Sequence, residues 1–244
     1  MPQAMSEEYK QYLRTGLRRL GLVVEDEELL LERLPVYLAE LQKWNRKINL
    51  IARGTDDLRI LENHFLDSLT LLPYARPDRD HPHPTLLDVG SGAGFPGLVL
   101  KAASPALAVT LVEPRQKRAF FLQHMIRTLG LSRIEVVQEH LEPEPNRDRD
   151  RGTFQDRRFR FITSRGLTEI RPFLTMVAPF LEPDGRVLCM KGPAGETEAA
   201  ATAGADHGLS LLASSSLHLP YRGAERLIFI FGAAKDAGEG NAKR

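Results

Sequence analysis

Thr85-Leu86-Leu87-Asp88-Val89-Gly90-Ser91-Gly92-Ala93-Gly94-Phe95-Pro96-Gly97-Leu98-Val99-Leu100 decides how the rest of the chain is read. A short apolar run ends in an acid, passes through spaced glycines and resumes as an apolar helical segment. That order describes a strand-turn-helix unit whose backbone approaches a bound nucleotide-like ligand. Glycine admits positive φ and leaves no side chain between the main chain and the ligand. Pro96 suits the first turn of the following helix, where a missing N–H costs nothing.

Gly92, Gly94 and Gly97 satisfy the dinucleotide pattern G-x-G-x-x-G, a weak signal alone. Adding Gly90, with Asp88 two residues before it, gives D-x-G-x-G-x-G. This resembles motif I of S-adenosylmethionine (SAM) dependent methyltransferases. The glycines alone leave both cofactors open. Asp88 favours SAM, since an acid at the strand end repels a pyrophosphate and suits an amino group and a sulfonium. Ala108–Glu113 reads as the next strand, with Glu113 at the spacing expected of an acid that binds ribose hydroxyls. SAM and NAD both present that diol.

The 244 residues are ample for a packed core, as one large domain or a domain with an appendage. With 33 basic and 32 acidic side chains, global charge selects no partner, and a nucleic-acid surface has to be local. The single cysteine, Cys189, excludes an internal disulfide framework and a Cys-rich metal site, and no metal is expected. In its apolar strand it reads as a small core residue. No long apolar run or leader-like N-terminus is present, so a cytoplasmic location is expected.

Helices are expected over Ser6–Leu20, stopped by Gly21, over Asp26–Trp44 and over Leu58–Leu72. Residues 1–76 thus form a helical extension, and 77–84, with three prolines, a linker. Residues 85–232 form the cofactor-binding domain and 233–244 a disordered tail. Strands are expected at Thr85–Val89, Ala108–Glu113, Ile134–Gln138, Phe159–Ser164, Arg186–Lys191, Leu209–Leu217 and Leu227–Phe231. Helices Gln116–Leu129 and Thr168–Leu181 lie between them. The alternation implies an α/β fold, a doubly wound and mainly parallel seven-stranded sheet covered on both faces.

Motifs outside the glycine turn bear on the methyl acceptor. They are Trp44-Asn45-Arg46-Lys47-Ile48-Asn49-Leu50, His64-Phe65-Leu66-Asp67-Ser68-Leu69, Lys117-Arg118 with Phe121-Leu122, Ser164-Arg165-Gly166 and Lys191-Gly192-Pro193. Together, from Trp44 to Pro193, they resemble the bacterial 16S rRNA guanine-N7 methyltransferases of the glucose-inhibited division B (RsmG) family. The resemblance implies a class I, Rossmann-like methyltransferase that transfers the methyl group of SAM to N7 of guanine 527 in the 530 loop. It also implies 16S rRNA, or the small subunit carrying it, as partner. By position it implies SAM contacts from Gly90, Phe95, Glu113, Leu141, Glu142 and Arg165. Asp88, Gly92 and Gly94 join them on the motif geometry.

Two positions depart from the family, His140 where Arg is common and Gly166 where Ala usually follows Ser-Arg. An imidazole there can still donate a hydrogen bond. Arg165 and Lys191, at the carboxyl ends of adjacent expected strands, are the candidate catalytic residues. Asn45, Lys47, Asn49, His64 and His140 are candidate RNA contacts. Trp44 continues an apolar face and reads as core. His64 and Asp67, one helical turn apart, read as a hydrogen-bonded pair. The arginine-rich insertion Asn146–Arg160 reads as a solvated loop or an RNA grip. A monomer is expected, since no long exposed apolar stripe is left over.

The chemistry supports N7 by elimination. The chain lacks the Asn/Asp-Pro-Pro-aromatic motif of exocyclic-amine enzymes and the Pro-Cys context of cytosine-C5 enzymes. The strand ending Thr163-Ser164-Arg165 carries no acid of the ribose 2′-O type. A SAM enzyme with another acceptor and a non-catalytic SAM- or RNA-binding regulator remain as alternatives.

Overall fold

The computed structural model describes residues 3–141, 157–202 and 208–233. Glu142, most of the insertion from Asn146, and the tail beyond Ala233 lie outside the described residues. Seven strands form one sheet in the order β3-β2-β1-β4-β5-β7-β6. They are β1 (Thr85–Val89), β2 (Ala108–Val112), β3 (Ile134–Val137), β4 (Phe159–Arg165), β5 (Leu181–Lys191), β6 (Leu209–His218) and β7 (Glu225–Ala233). The first five pair parallel, while β7 inserts antiparallel beside β5 and pairs antiparallel with β6.

Strand alternation divides the core into two layers. Leu86, Val109, Leu111, Phe161, Leu188 and Ile228 face one side; Leu87, Val89, Val112, Ile162, Val187 and Phe229 face the other. Burial on both faces is why β1 and β2 read as unbroken apolar runs. Helix α7 (Ile170–Val177) covers the second face. The first is covered by α5 (Gly97–Ala103), α6 (Gln116–Thr128) and the N-terminal helices, which share its core.

Those N-terminal helices are α1 (Gln3–Arg19) and α2 (Glu27–Asn45), then a segment built from α3 (Asp57–Ile60), a π-helical turn (Leu61–Leu66) and α4 (Asp67–Leu69). Asp26 starts α2 by accepting a hydrogen bond from Leu29 N at 3.0 Å, and Gly21, at φ +64°, ends the first helical segment. The expected single helix over Leu58–Leu72 is therefore interrupted. Its widened turn carries Glu62 and His64 inward, consistent with the occurrence of π-turns at functional sites.

Further differences have local causes. β5 starts at Leu181, not Arg186, because Pro183-Asp184-Gly185 continues the strand although its composition signals a turn. The helix expected to reach Leu181 ends at Val177 and tightens to a 3₁₀ turn over Ala178–Phe180. Helix α8 (Gly195–Ala200) has too few apolar residues to show a period. Cys189 is buried in β5, where burial pushes its thiol up to about 12, and Trp44 packs its ring against Phe121 as a core contact. Among the described residues no helix is long and apolar enough to cross a membrane.

The glycine turn is locked onto α2. Gly94 has φ +91°, and a Cβ there would lie 2.3 Å from the Tyr37 hydroxyl and 3.0 Å from Leu98 Cβ. Tyr37, fully buried, donates to the Ala93 carbonyl. Gly94→Ala therefore combines a left-handed backbone with overpacking, and is expected to lower stability by about 2–4 kcal/mol in urea titrations.

Candidate active site

The carboxyl ends of β1, β2 and β4 open into a cleft of about 680 Å³. Crevices at this edge of an open parallel sheet are where ligands bind. Gly90 and Gly92, with φ of +72° and +58°, form its floor; Phe95, His64 and Arg165 line one side and Glu113 another. His140 and Leu141, following β3, line it as well.

Glu113 is buried at the end of β2. Its Oε2 accepts from Gly92 N and its Oε1 from Arg115 N, both at 2.9 Å. Each carboxylate oxygen keeps a second lone pair, so the group can hold the turn and still accept from a diol.

Asp88 is not brought to the cleft. Two-residue alternation puts it on the face of Leu86, beneath α5, where Oδ2 accepts from Gly97 N at 3.0 Å. Burial pushes its carboxyl up to about 6, against the hydrogen bond from Gly97. In this structure Asp88 therefore bears on the turn through Gly97 N, and it is not among the residues that line the cleft. In dinucleotide folds the helix N-terminus after this turn receives a pyrophosphate; here the chain's own carboxylate occupies that position. Gly94 likewise faces Tyr37 and Leu98, away from the cleft.

Arg165 closes the cleft beside Phe95. One Nη donates to Asn63 O at 2.9 Å and to Asp67 at 3.3 Å, and the other to His64 Nδ1 at 2.7 Å. Its guanidinium lies 5.0 Å from the centroid of Phe95, on which the His64 ring is also stacked. The His64 and Asp67 side chains accordingly do not bond each other; both accept from Arg165, and Asp67 also accepts from Arg226 on β7 at 2.9 Å. Accepting at Nδ1 places the imidazole proton on Nε2. Burial, with Arg165 and Arg226 nearby, pushes His64 down to about 3 and keeps the ring neutral.

Lys191 is not in the cleft. Its Nζ donates to Thr168 O at 2.8 Å and pairs with Glu198 of α8 at 2.7 Å, fastening α8 to the loop after β4. Asn45 accepts from Leu50 N and Ile51 N and shapes the loop after α2. Lys47 and Asn49 are exposed on that loop. Arg118, on α6, was not singled out as a site residue, yet it lines the cleft and donates to Asn49 O at 2.8 Å. Its place in the Lys117-Arg118 motif was the available signal. The unassigned Leu50 and Ile51 reach the cleft only because Asn45 folds their backbone back.

Elsewhere, His81, Glu182 and Asp184 bring possible metal-ligand atoms within 4.8 Å of one another. Arg160 pairs with Asp184 and His81 with Asp78, so these groups already have partners.

Comparison with known proteins agrees with this architecture. The GidB family model, described as rRNA small subunit methyltransferase G, matches residues 30–220. A protein named ribosomal RNA small subunit methyltransferase G from Desulfotalea psychrophila is 41% identical over 93% of this chain and 99% of its own length. Its namesake from Myxococcus xanthus is 37% identical over 91% and 96%. Among solved structures, a SAM-dependent methyltransferase from Aquifex aeolicus has a TM-score of 0.51 at 18% identity, over 80% of this chain and 97% of its own. Another, from Thiobacillus denitrificans in complex with S-adenosyl-L-homocysteine, has a TM-score of 0.50 at 11% identity over the same shares. At such identities these likenesses establish the fold, that of SAM-dependent methyltransferases.

The depressed His64 sets a pH signature. An unfolded imidazole takes its proton near pH 6.5 and the folded one near 3. Between these values the unfolded state binds more protons, so stability is lost as the pH is lowered. His64→Gln keeps an acceptor for Arg165 without that proton. From pH 7 to 4.5 the wild type is expected to lose about 2 kcal/mol more than H64Q in urea titrations. Asp88 contributes with the opposite sign in both proteins and cancels.

Proposed function

The chain belongs to the GidB family, rRNA small subunit methyltransferase G, and we propose that its acceptor is N7 of a guanine in 16S rRNA, the one in the 530 loop. The methyl donor is SAM. The cleft fits it: two positive-φ glycines leave backbone bare beside the space, and a buried carboxylate stands where a ribose diol needs acceptors. SAM supplies a methyl group activated by its sulfonium. Glu113 holds the ribose, Gly90 and Gly92 admit the rest of the donor, and Leu141 with His140 borders the adenine. The family resemblance adds Glu142 to the SAM contacts.

The commitment of two cleft groups able to take a proton, His64 and Glu113, carries the N7 reading; Glu139 and His140 also line the cleft, after β3. His64 Nδ1 is taken by Arg165, and both oxygens of Glu113 are held by backbone N–H groups. Such a wall suits a nucleophile that has no proton to lose. Guanine N7 offers an in-plane lone pair, and the rate then comes from aligning nitrogen, methyl carbon and sulfur. Arg165, fixed by Asn63, His64 and Asp67, orients the base through its O6 edge. The neutral His64 offers an Nε2–H donor without repelling the cation that methylation makes of the base. Lys191, engaged with Thr168 and Glu198, acts through the loop it fastens.

Two measurements test this. Glu113→Ala is expected to weaken SAM binding by about ten- to a hundredfold in calorimetric titrations, from the loss of charge-assisted hydrogen bonds, with RNA affinity changed far less. The reverse ranking refutes the ribose assignment. Labelled SAM supplied with 30S subunits or protein-free 16S rRNA from a strain lacking the modification is expected to mark N7 of the 530-loop guanine, mapped by chemical cleavage. Label confined to small molecules or to another base overturns the acceptor. SAM binding without any label favours a non-catalytic regulator.

A further inference from the structure

Beside the methyl-transfer cleft lies a second cavity of about 470 Å³ that the reaction does not use, walled by the loop between α2 and α3. Its size falls within the range of small-ligand pockets, about 300–1,000 Å³. Ile51 lines both cavities, so one half-buried apolar side chain is the ridge between them. The ridge is braced from two sides. Asn45 Oδ1 accepts from Leu50 N at 2.9 Å and from Ile51 N at 3.1 Å, and Arg118 reaches across from α6 to Asn49 O.

The second cavity is rich in donors. Arg46 and Arg53 line it, both are exposed, and neither guanidinium makes a hydrogen bond or ion pair with a described residue. With its oxygen committed to the loop, Asn45 has only its amide N–H groups left to offer. Among the described residues no acid lines the cavity. Asp57 nearby is held by Tyr9 and Gln42, and Asp56 caps Arg59 N and pairs with Arg222. Unpaired guanidiniums around a polar cavity select an anion with fork geometry, above all a phosphate. An apolar ridge between two cavities, each roomy enough for a base, suits a strand whose bases are unstacked and splayed apart.

We propose that this cavity is a subsite for the nucleotide next to the methylated guanine in single-stranded RNA. Its base occupies the cavity, Arg46 and Arg53 hold its phosphates, and Ile51 stands between it and the target base. This rests on the acceptor reading above and extends it from one base to a dinucleotide step.

The test compares the full-length wild type with R46A/R53A and with a control double variant, R18A/R127A, that removes the same charge from exposed positions away from both cavities. Methylation kinetics are measured on 16S rRNA substrate, SAM affinity by calorimetry, and binding of a loop-sequence oligoribonucleotide as a function of salt. For R46A/R53A, KM for RNA is expected to rise about tenfold with kcat and SAM affinity kept. The salt slope of log K is expected to fall by about 1.4, from two single-strand phosphate contacts at ~0.7 each. I51A is expected to lower oligoribonucleotide affinity without changing the salt slope. Unchanged KM and slope in R46A/R53A, or equal losses in R18A/R127A, overturn the subsite while leaving the methyl acceptor standing. Absence of RNA methylation and RNA binding in the wild type overturns both.

Discussion

The turn between β1 and α5 is gripped by two carboxylates from adjacent strands, and the site depends on that grip. Asp88 holds the helix side through Gly97 N, and Glu113 holds the ligand side through Gly92 N. A chain with three glycines within five residues has wide conformational freedom, and hydrogen bonds to charged acceptors confine it. The same division fits SAM better than a dinucleotide. The helix N-terminus that could bind a phosphate is filled from within, while the acid facing the cleft retains acceptor capacity for a diol.

The other wall is made by the N-terminal helices, and buried charges hold it to the sheet. Asp67 lies between Arg165 of β4 and Arg226 of β7, while Glu62, fully buried, accepts from Tyr221 N and Arg222 N at 2.8 Å each. Tyr221 in turn stacks on Tyr12 and donates to its carbonyl. The antiparallel β6–β7 hairpin is thereby fastened to the segment that carries His64. Charged groups in such surroundings are costly unless paired, so removing one partner would leave an uncompensated buried charge. Arg165 is aimed by this network, since three of its contacts come from the one π-turned segment and its continuation.

Much of this was legible in one dimension, and the exceptions share a cause. β1, with its bounds, and the helices over Glu27–Asn45 and Gln116–Thr128 follow from runs and periods that need no partner to be seen. Phe95, Glu113, Leu141, His64, His140 and Arg165 all line the cleft, because each sits at a strand end, in the turn or in a quoted motif. Asp88 and Lys191 were placed in the site by strand position, but the direction of a side chain depends on alternation and on competing partners. Glu198, the partner of Lys191, sits in a helix too short to show a period.

The sequence by itself determined the alternating α/β order, the nucleotide-type turn, the acid that follows it and the family, since all are carried by residue types at fixed separations along the chain. The tertiary structure alone decided which carboxylate faces the ligand and which caps a helix. It also decided that Arg165 rather than Lys191 reaches the cleft, and that Ile51 stands between two cavities. These depend on contacts between residues such as Asn63 and Arg165, or Asn49 and Arg118, far apart in sequence. Periodicity carries no information about such pairs, because their geometry exists only once the sheet has brought the elements together.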